Sequence, residues 1–438
     1  MKCNRFGWIV LPILMVFSSA VYADTADLEK KLDQLEQEMA AIKAQIAEQK
    51  ITQQAQVDSA VKAALASAST ALPAPPTSPP VAAADTSIGG YGELSYSDYR
   101  NSAGKNQIDF NRFVMLMGHQ FNDRLRIYSE MEIEHAVASA TDKGEIEVEQ
   151  AYIEYSLLPQ ANLRTGLVLI PLGILNETHE PPTYYGVFRN EVETRIIPTT
   201  WREAGVALQG KVLDSALEYN VGISSGFDAT KYSGDASYAI RDMHGEASYA
   251  AANNLAAFAG VNYHQPGWLL GAGLFTGNTA QNGNGSGTTL NNSLQGSDAR
   301  LTLWDVHTQY STGNLELQAL YARGTLGNTL AINAATGILP GGILDAAPRL
   351  FYGWYGQAAY HVWQKDDMRL TPFVRYERYN TQASVDPGYT ANPLNSDTVV
   401  TLGANFNLTP EVVFKADWQT FSTNTGQNRF DLGAGYMF

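Results

Sequence analysis

The chain has 438 residues, with 29 Lys plus Arg against 44 Asp plus Glu, a formal net charge of −15. That acid excess argues against nucleic acid as a partner, because phosphate binding needs clustered Lys and Arg. The single cysteine, Cys3, excludes a disulfide framework and a Cys-ligated metal site. No run beyond the first residues reaches the length of a membrane helix.

The N-terminus reads as a secretory signal peptide over residues 1–23. Lys2 and Arg5 are followed by an apolar run from Phe6 to Phe17, and Val21 and Ala23 make a small-residue cleavage site. Residues 24–62 carry a coiled-coil pattern. Leu28, Leu32, Leu35, Met39, Ile42 and Ile46 step by four and three, an a/d seam amid Lys, Glu, Gln and Ala. The seam is too short to hold an oligomer alone and would reinforce a body that already associates. Residues 63–87 turn to Ala, Ser, Thr and Pro, with Pro73, Pro75, Pro76, Pro79 and Pro80 forming an extended linker.

From Ile88 onward the period is two. Phe430, Leu432, Ala434, Tyr436 and Phe438 alternate with Asp431, Gly433 and Gly435. Phe414, Ala416 and Trp418 alternate with Lys415, Asp417 and Gln419. Alternation alone fits a sandwich or a membrane barrel. Export, a final strand ending on Phe438, and connections that alternate short and long select the barrel. Short turns fall at Asn122–Asp123, Leu158–Ala161, Leu213–Asp214, Gln265–Pro266, Thr312–Gly313, Gln364–Asp367 and Thr409–Pro410. Long loops fall near 100–107, 138–144, 172–200, 225–254, 278–298, 325–349, 381–396 and 423–427. The fold expected is all-β, a 16-stranded antiparallel transmembrane barrel over 88–438, with eighteen strands if 241–254 holds a further pair. An even strand count sends both termini to the periplasm, and sixteen strands leave an aqueous channel.

The segment Leu167–Gly210 resembles the phosphate-selective porin O and P family of Gram-negative outer membranes. Pro171, Gly173, Asn176-Glu177, His179-Glu180-Pro181, Tyr185-Gly186-Val187 and Ile197-Pro198-Thr199-Thr200-Trp201 carry the resemblance. The N-terminal coiled coil is similar to that of trimeric dicarboxylate-type porins. The resemblance implies a homotrimer of barrels in outer-membrane lipid and lipopolysaccharide, passing small hydrophilic solutes or ions by diffusion. It also implies that the third loop folds inward and narrows the lumen. That loop carries Glu177, His179, Glu180, Arg189, Glu191, Glu193 and Arg195, which become the candidate constriction. Strand parity adds Arg112, Arg126, Arg164, Glu130 and Glu132 as candidate pore-wall residues.

Ring charge and radius set selectivity in such a pore. Glu130, Glu132, Glu134, Glu145, Glu147, Glu149 and Glu154 crowd the strands near 130–154, which favours cations or a general pore. Glu177, His179 and Glu180 match no closed zinc spacing, so no metal and no cofactor is expected. An outer-membrane barrel enzyme is the alternative class, yet no G-x-S-x-G, H-E-x-x-H or G-x-x-x-x-G-K-[ST] occurs. A structural tether built on the coiled coil is the third.

Overall fold

The computed structural model describes residues 85–438 apart from 138–143, 213–214 and 286–293. The expected signal peptide, coiled coil and most of the linker lie outside the described residues. No described helix is long and apolar enough to cross a membrane.

The described chain is a closed antiparallel sheet. In order its strands are β1 Thr86–Tyr99, β2 Gln107–Asn122, β3 Leu125–Glu134, β4 Ile146–Leu158, β5 Ala161–Leu169 and β6 Arg202–Lys211. There follow β7 Leu217–Ser225, β8 Leu255–Gln265, β9 Trp268–Asn278, β10 Arg300–Thr312, β11 Leu315–Leu326 and β12 Leu350–Tyr360. The last are β13 Trp363–Lys365, β14 Met368–Ser384, β15 Ser396–Thr409, β16 Val412–Phe421 and β17 Arg429–Met437. The short β13 continues β12 beyond a break at His361–Val362, and both pair with β14. The wall is therefore sixteen strands thick around its circumference. Tyr91–Tyr99 of β1 pairs with Arg429–Met437 of β17 and closes the cylinder, so no edge strand is left unpaired. The stretch 241–254 forms a 3₁₀ turn and loop, not a further strand pair, which decides for sixteen over eighteen.

The two faces are inverted relative to a soluble sandwich. On β17, Asp431 is buried inward while Leu432 is exposed outward. On β16, Lys415, Asp417 and Gln419 point in and Phe414 and Trp418 point out. Exposed aromatic side chains form a row across neighbouring strands near the long-loop end. Trp304 meets Tyr321 and Trp354 meets Tyr376, each pair with ring centroids 5.5 Å apart. A second group, Tyr263, Trp268, Tyr310, Tyr360 and Trp363, lies towards the short turns. Two aromatic belts flanking an apolar band are what a lipid bilayer selects on a barrel exterior.

The interior at the long-loop end is not open water. Residues of 226–254 and 327–349 fold inward and join the third loop, residues 170–201, in one apolar cluster. Phe227, Tyr232, Ile240, Met243, Ile332 and Ile338 pack there with Val192, Ile196, Ile197 and Trp201.

Candidate functional site

The third loop starts and ends at a hydrogen-bonded neck. Asn176 Nδ2 donates to the carbonyls of Ile170 at 2.7 Å and Trp201 at 3.0 Å, and Trp201 N donates to Asn176 Oδ1 at 2.6 Å. Trp201 is fully buried. Its ring lies 5.2 Å from Phe227 and 4.5 Å from Phe275. Asn176 and Trp201 thus set where the loop leaves the wall.

From the neck the chain turns into the lumen and touches strands on several sides. Gly173 N donates to Asp305 of β10 at 3.0 Å. A Cβ on Gly260 of β8 would come within 2.6 Å of Pro171, so the wall itself is shaped to admit the loop. Gly173 has φ +73°, and a Cβ there would strike the Glu193 carboxylate. Tyr184 donates its hydroxyl to Glu93 of β1 at 2.9 Å, and Tyr185 donates to Glu316 of β11 at 2.7 Å. Val187 N donates to Asp417 of β16 at 2.6 Å, and Glu191 N donates to Glu377 of β14 at 2.7 Å. Arg375 Nη1 donates to the Tyr185 carbonyl at 3.0 Å while its Nε pairs with Glu377 at 2.8 Å. The loop is therefore hydrogen-bonded to the inner wall at β1, β10, β11, β14 and β16, among other strands.

The candidate loop residues divide by environment. Glu193, with no exposed surface, accepts from Ile174 N at 2.6 Å, Leu175 N at 2.7 Å, Tyr355 OH at 2.7 Å and Asn190 Nδ2 at 3.0 Å. It is an internal brace, not a water-facing charge, because the loop folds around it. Glu191 pairs with Arg195 and lies 3.9 Å from Arg429. Burial raises its pKa, and the two guanidinium groups reverse that effect and hold the carboxyl below its ordinary value. Arg195 stacks between Tyr238 and Tyr379. Arg189 donates to Thr200 Oγ1 at 3.1 Å and to the His179 carbonyl at 3.3 Å. Glu180 caps the 3₁₀ turn Pro181–Thr183 without a side-chain bond. Glu177 is exposed to the lumen, within 3.5 Å of Asn220. His179 does not gather Glu177 and Glu180. It is buried against Glu130 and Glu149, with Nε2 3.3 Å and 3.8 Å from their carboxylates.

All five wall residues point inward. Arg112 bridges Glu93 at 2.9 Å and Glu132 at 3.1 Å. Arg126 and Arg164 share the carboxylate of Glu154, Arg164 at 2.6 Å. Glu130 and Glu132 are 2% and 1% exposed, so they lie beneath the loop and not on the water surface.

Between the loop and the wall from β17 to β4 lies a cavity of about 330 Å³ at the long-loop end. Six arginines line it, Arg112, Arg189, Arg195, Arg202, Arg241 and Arg429, with the glutamates 93, 132, 134, 147, 149 and 191. Equal numbers of each sign, many already paired, leave no dominant ring charge. A second cavity of about 380 Å³, touching Glu177, Lys211, Asn262 and His307, opens on the short-turn side. His307 pairs with Asp305 at 2.6 Å, but its other ring nitrogen meets Asn262 Oδ1 at 3.1 Å, so no hydroxyl nucleophile completes a triad there.

Sequence reasoning missed Arg375, Glu377, Asp417 and Arg429. Each sits on a strand more than 180 residues from the loop atoms it holds, and an inward charge on a strand carries no local sign of its partner. Arg202 was missed for another reason. It stands one residue past the loop's end and pairs with Glu147 at 2.5 Å.

A closed sixteen-stranded antiparallel barrel with apolar belts outside, charges inside and a loop across its lumen has the fold of the outer-membrane porins. The barrel is similar to OmpF of Salmonella typhi in complex with daunomycin, at TM-score 0.50 and 14% identity, covering 81% of this chain and 97% of that one. An anion-selective porin from Comamonas acidovorans gives TM-score 0.48 and 11% identity over 81% of this chain and 99% of that chain. No family model matches the sequence. The chain belongs to the same family as an "uncharacterized protein" of Aquifex aeolicus (strain VF5), 31% identical over 338 residues, which are 76% of this chain and 74% of that protein.

Proposed function

We propose that the protein is an outer-membrane channel for passive diffusion of small hydrophilic solutes or ions, narrowed by its third loop. The observation that carries this is the loop running through the lumen of a closed barrel, hydrogen-bonded to several sides of the wall and bordered by a cavity with a charged lining. The balanced Arg and Glu lining supports a weak charge preference set by a transverse field across the gap. The resemblance of residues 167–210 supports a relation to the phosphate-selective porins O and P, while the six glutamates that match the six arginines give no support to phosphate selectivity. Replacing Arg189 and Arg241 with Gln is expected to move the reversal potential under a salt gradient towards cations. An unchanged potential would place the loop away from the conducting path.

The working form in this reading is a homotrimer in lipid and lipopolysaccharide, with residues 1–23 removed. Residues 24–62 form a periplasmic coiled coil, joined by the 63–87 linker to the barrel. Deleting residues 25–86 is expected to leave barrels that insert and conduct but whose trimers separate at lower temperature in detergent. Equal trimer stability would assign the N-terminal segment another task.

A further inference from the structure

Where the third loop crosses β3 and β4, three titratable side chains meet out of reach of solvent. Glu130, Glu149 and His179 are 2%, 1% and 3% exposed, and their ligand atoms all lie within 4.8 Å of one another. Glu149 reaches this point because it is the extra residue of a β-bulge. Glu130 pairs with Gln150 and Met131 with Val148, which leaves Glu149 unpaired and turned inward beside Gln150.

The hydrogen bonds around the three side chains orient them. His179 Nδ1 lies 3.1 Å from the carbonyl oxygen of Asn176, so the proton belongs on Nδ1. In the neutral ring the Nε2 lone pair then faces the two carboxylates, an arrangement that repels unless something positive sits between them. Among the described residues, no Lys or Arg forms an ion pair with Glu130 or Glu149. Arg112 is taken by Glu93 and Glu132, the latter adjoining Glu149, and Arg189 donates to Thr200 and the His179 carbonyl. A proton on His179 supplies one positive charge against two buried carboxylates. A divalent cation supplies two and removes the imbalance.

The spacing suits such an ion. Zinc binds His nitrogen and carboxylate oxygen at about 2.0–2.2 Å, so tetrahedral ligand atoms stand roughly 3.3 Å apart. His179 Nε2 is 3.3 Å from Glu130 Oε1 and 3.8 Å from Glu149 Oε2, a difference one carboxylate torsion absorbs. Outer partners already orient the ligands. Gln150 Nε2 donates to Glu130 Oε2 at 2.5 Å, Tyr91 OH donates to Glu130 Oε1 at 3.0 Å, and the Asn176 carbonyl holds the ring.

We propose that Glu130, Glu149 and His179 form a divalent-cation site of the zinc type that ties the third loop to the barrel wall. The fourth position is open to water. The site fastens the loop, distant in sequence, to β3 and β4, where His179 Nε2 and Glu130 Oε1 already stand 3.3 Å apart. Its ligands hold whether or not the protein conducts, so the test uses metal binding and not conductance.

The experiment is a titration of the chelator-treated, refolding-checked full chain in detergent with zinc, read by elemental analysis, and with cobalt, read by its visible absorption. About one metal per chain and the intense visible bands of tetrahedral cobalt are expected, with His179→Ala weakening binding at least about a hundredfold. Glu134→Gln, which alters the neighbouring group of Glu132, Glu134 and Glu147, is expected to leave the cobalt spectrum unchanged. Absence of the cobalt bands from the wild-type protein would overturn the proposal without any variant. So would binding abolished by Glu134→Gln and retained by His179→Ala, which would assign the metal to the acidic group instead.

Discussion

Glu193→Ala is expected to free the third loop from the wall and to raise single-channel conductance, with added current noise. The carboxylate accepts four hydrogen bonds, three from buried residues, Leu175 N, Tyr355 OH and Asn190 Nδ2, and one from the half-buried Ile174 N. Each buried donor left unpaired costs about 1–3 kcal/mol. The loop can relieve that cost by lifting off β12 and letting water in, which widens the path. Glu193→Gln keeps the shape and part of the acceptor capacity, so its conductance should fall between those of wild type and Glu193→Ala. Single-channel recording beside limited proteolysis of the folded barrel reads both effects. Wild-type conductance and protease resistance in Glu193→Ala would show that the remaining anchors at Asp417 and Glu377 suffice.

Trp201→Ala is expected to be the most destabilising single change, by about 3–5 kcal/mol, the usual range for a fully buried aromatic cut to Ala. The ring fills the centre of the cluster where the third loop meets Phe227 and Phe275, and its Nε1 donates to Glu203 at 3.4 Å. The vacated space sits inside a rigid cylinder whose wall is hydrogen-bonded all round, so it cannot collapse to fill the void. Trp201→Phe retains most of the packing and loses only the indole donor, and should cost much less. Urea unfolding of the barrel in detergent, followed by Trp fluorescence of the remaining residues and by circular dichroism, measures the difference. Equal midpoints for Trp201→Ala and wild type would mean that the inner cluster melts independently of the wall.

The wall was legible in the sequence because lipid imposes a strict period. Phe430, Leu432 and Ala434 must all face hydrocarbon, and Asp431 between them must not. The same rule placed Arg112, Arg126 and Arg164 inward, and the alternation of short and long connections gave sixteen strands, with eighteen left open by the stretch 241–254 until the structure decided it. The interior was legible only in part. Its third loop stood out by length and by the resemblance of residues 167–210, yet Glu193 looked like its neighbours Glu191 and Arg195 until the fold enclosed it. The inner cluster that includes Phe227, Ile240, Met243 and Ile332 left no signal, because a loop packed by irregular contacts has no period to read. Pairing across the lumen, as between Val187 and Asp417, depends on closure of the whole cylinder and on nothing local.

The bulge at Glu149 belongs to the same class. From alternation alone Glu147, Glu149 and Gln150 could not all be placed, since one extra residue shifts the parity of everything beyond it. That shift is what brings Glu149 to Glu130 and His179.

The central claim is that water and small solutes pass the gap beside the third loop. Purified protein in a planar bilayer under a potassium chloride gradient tests it most directly. Discrete, voltage-stable conductance steps with a small reversal potential are predicted, rising in unit size when Glu193 is replaced by Ala. A folded, inserted barrel that stays silent, both as wild type and with Glu193→Ala, would contradict the claim.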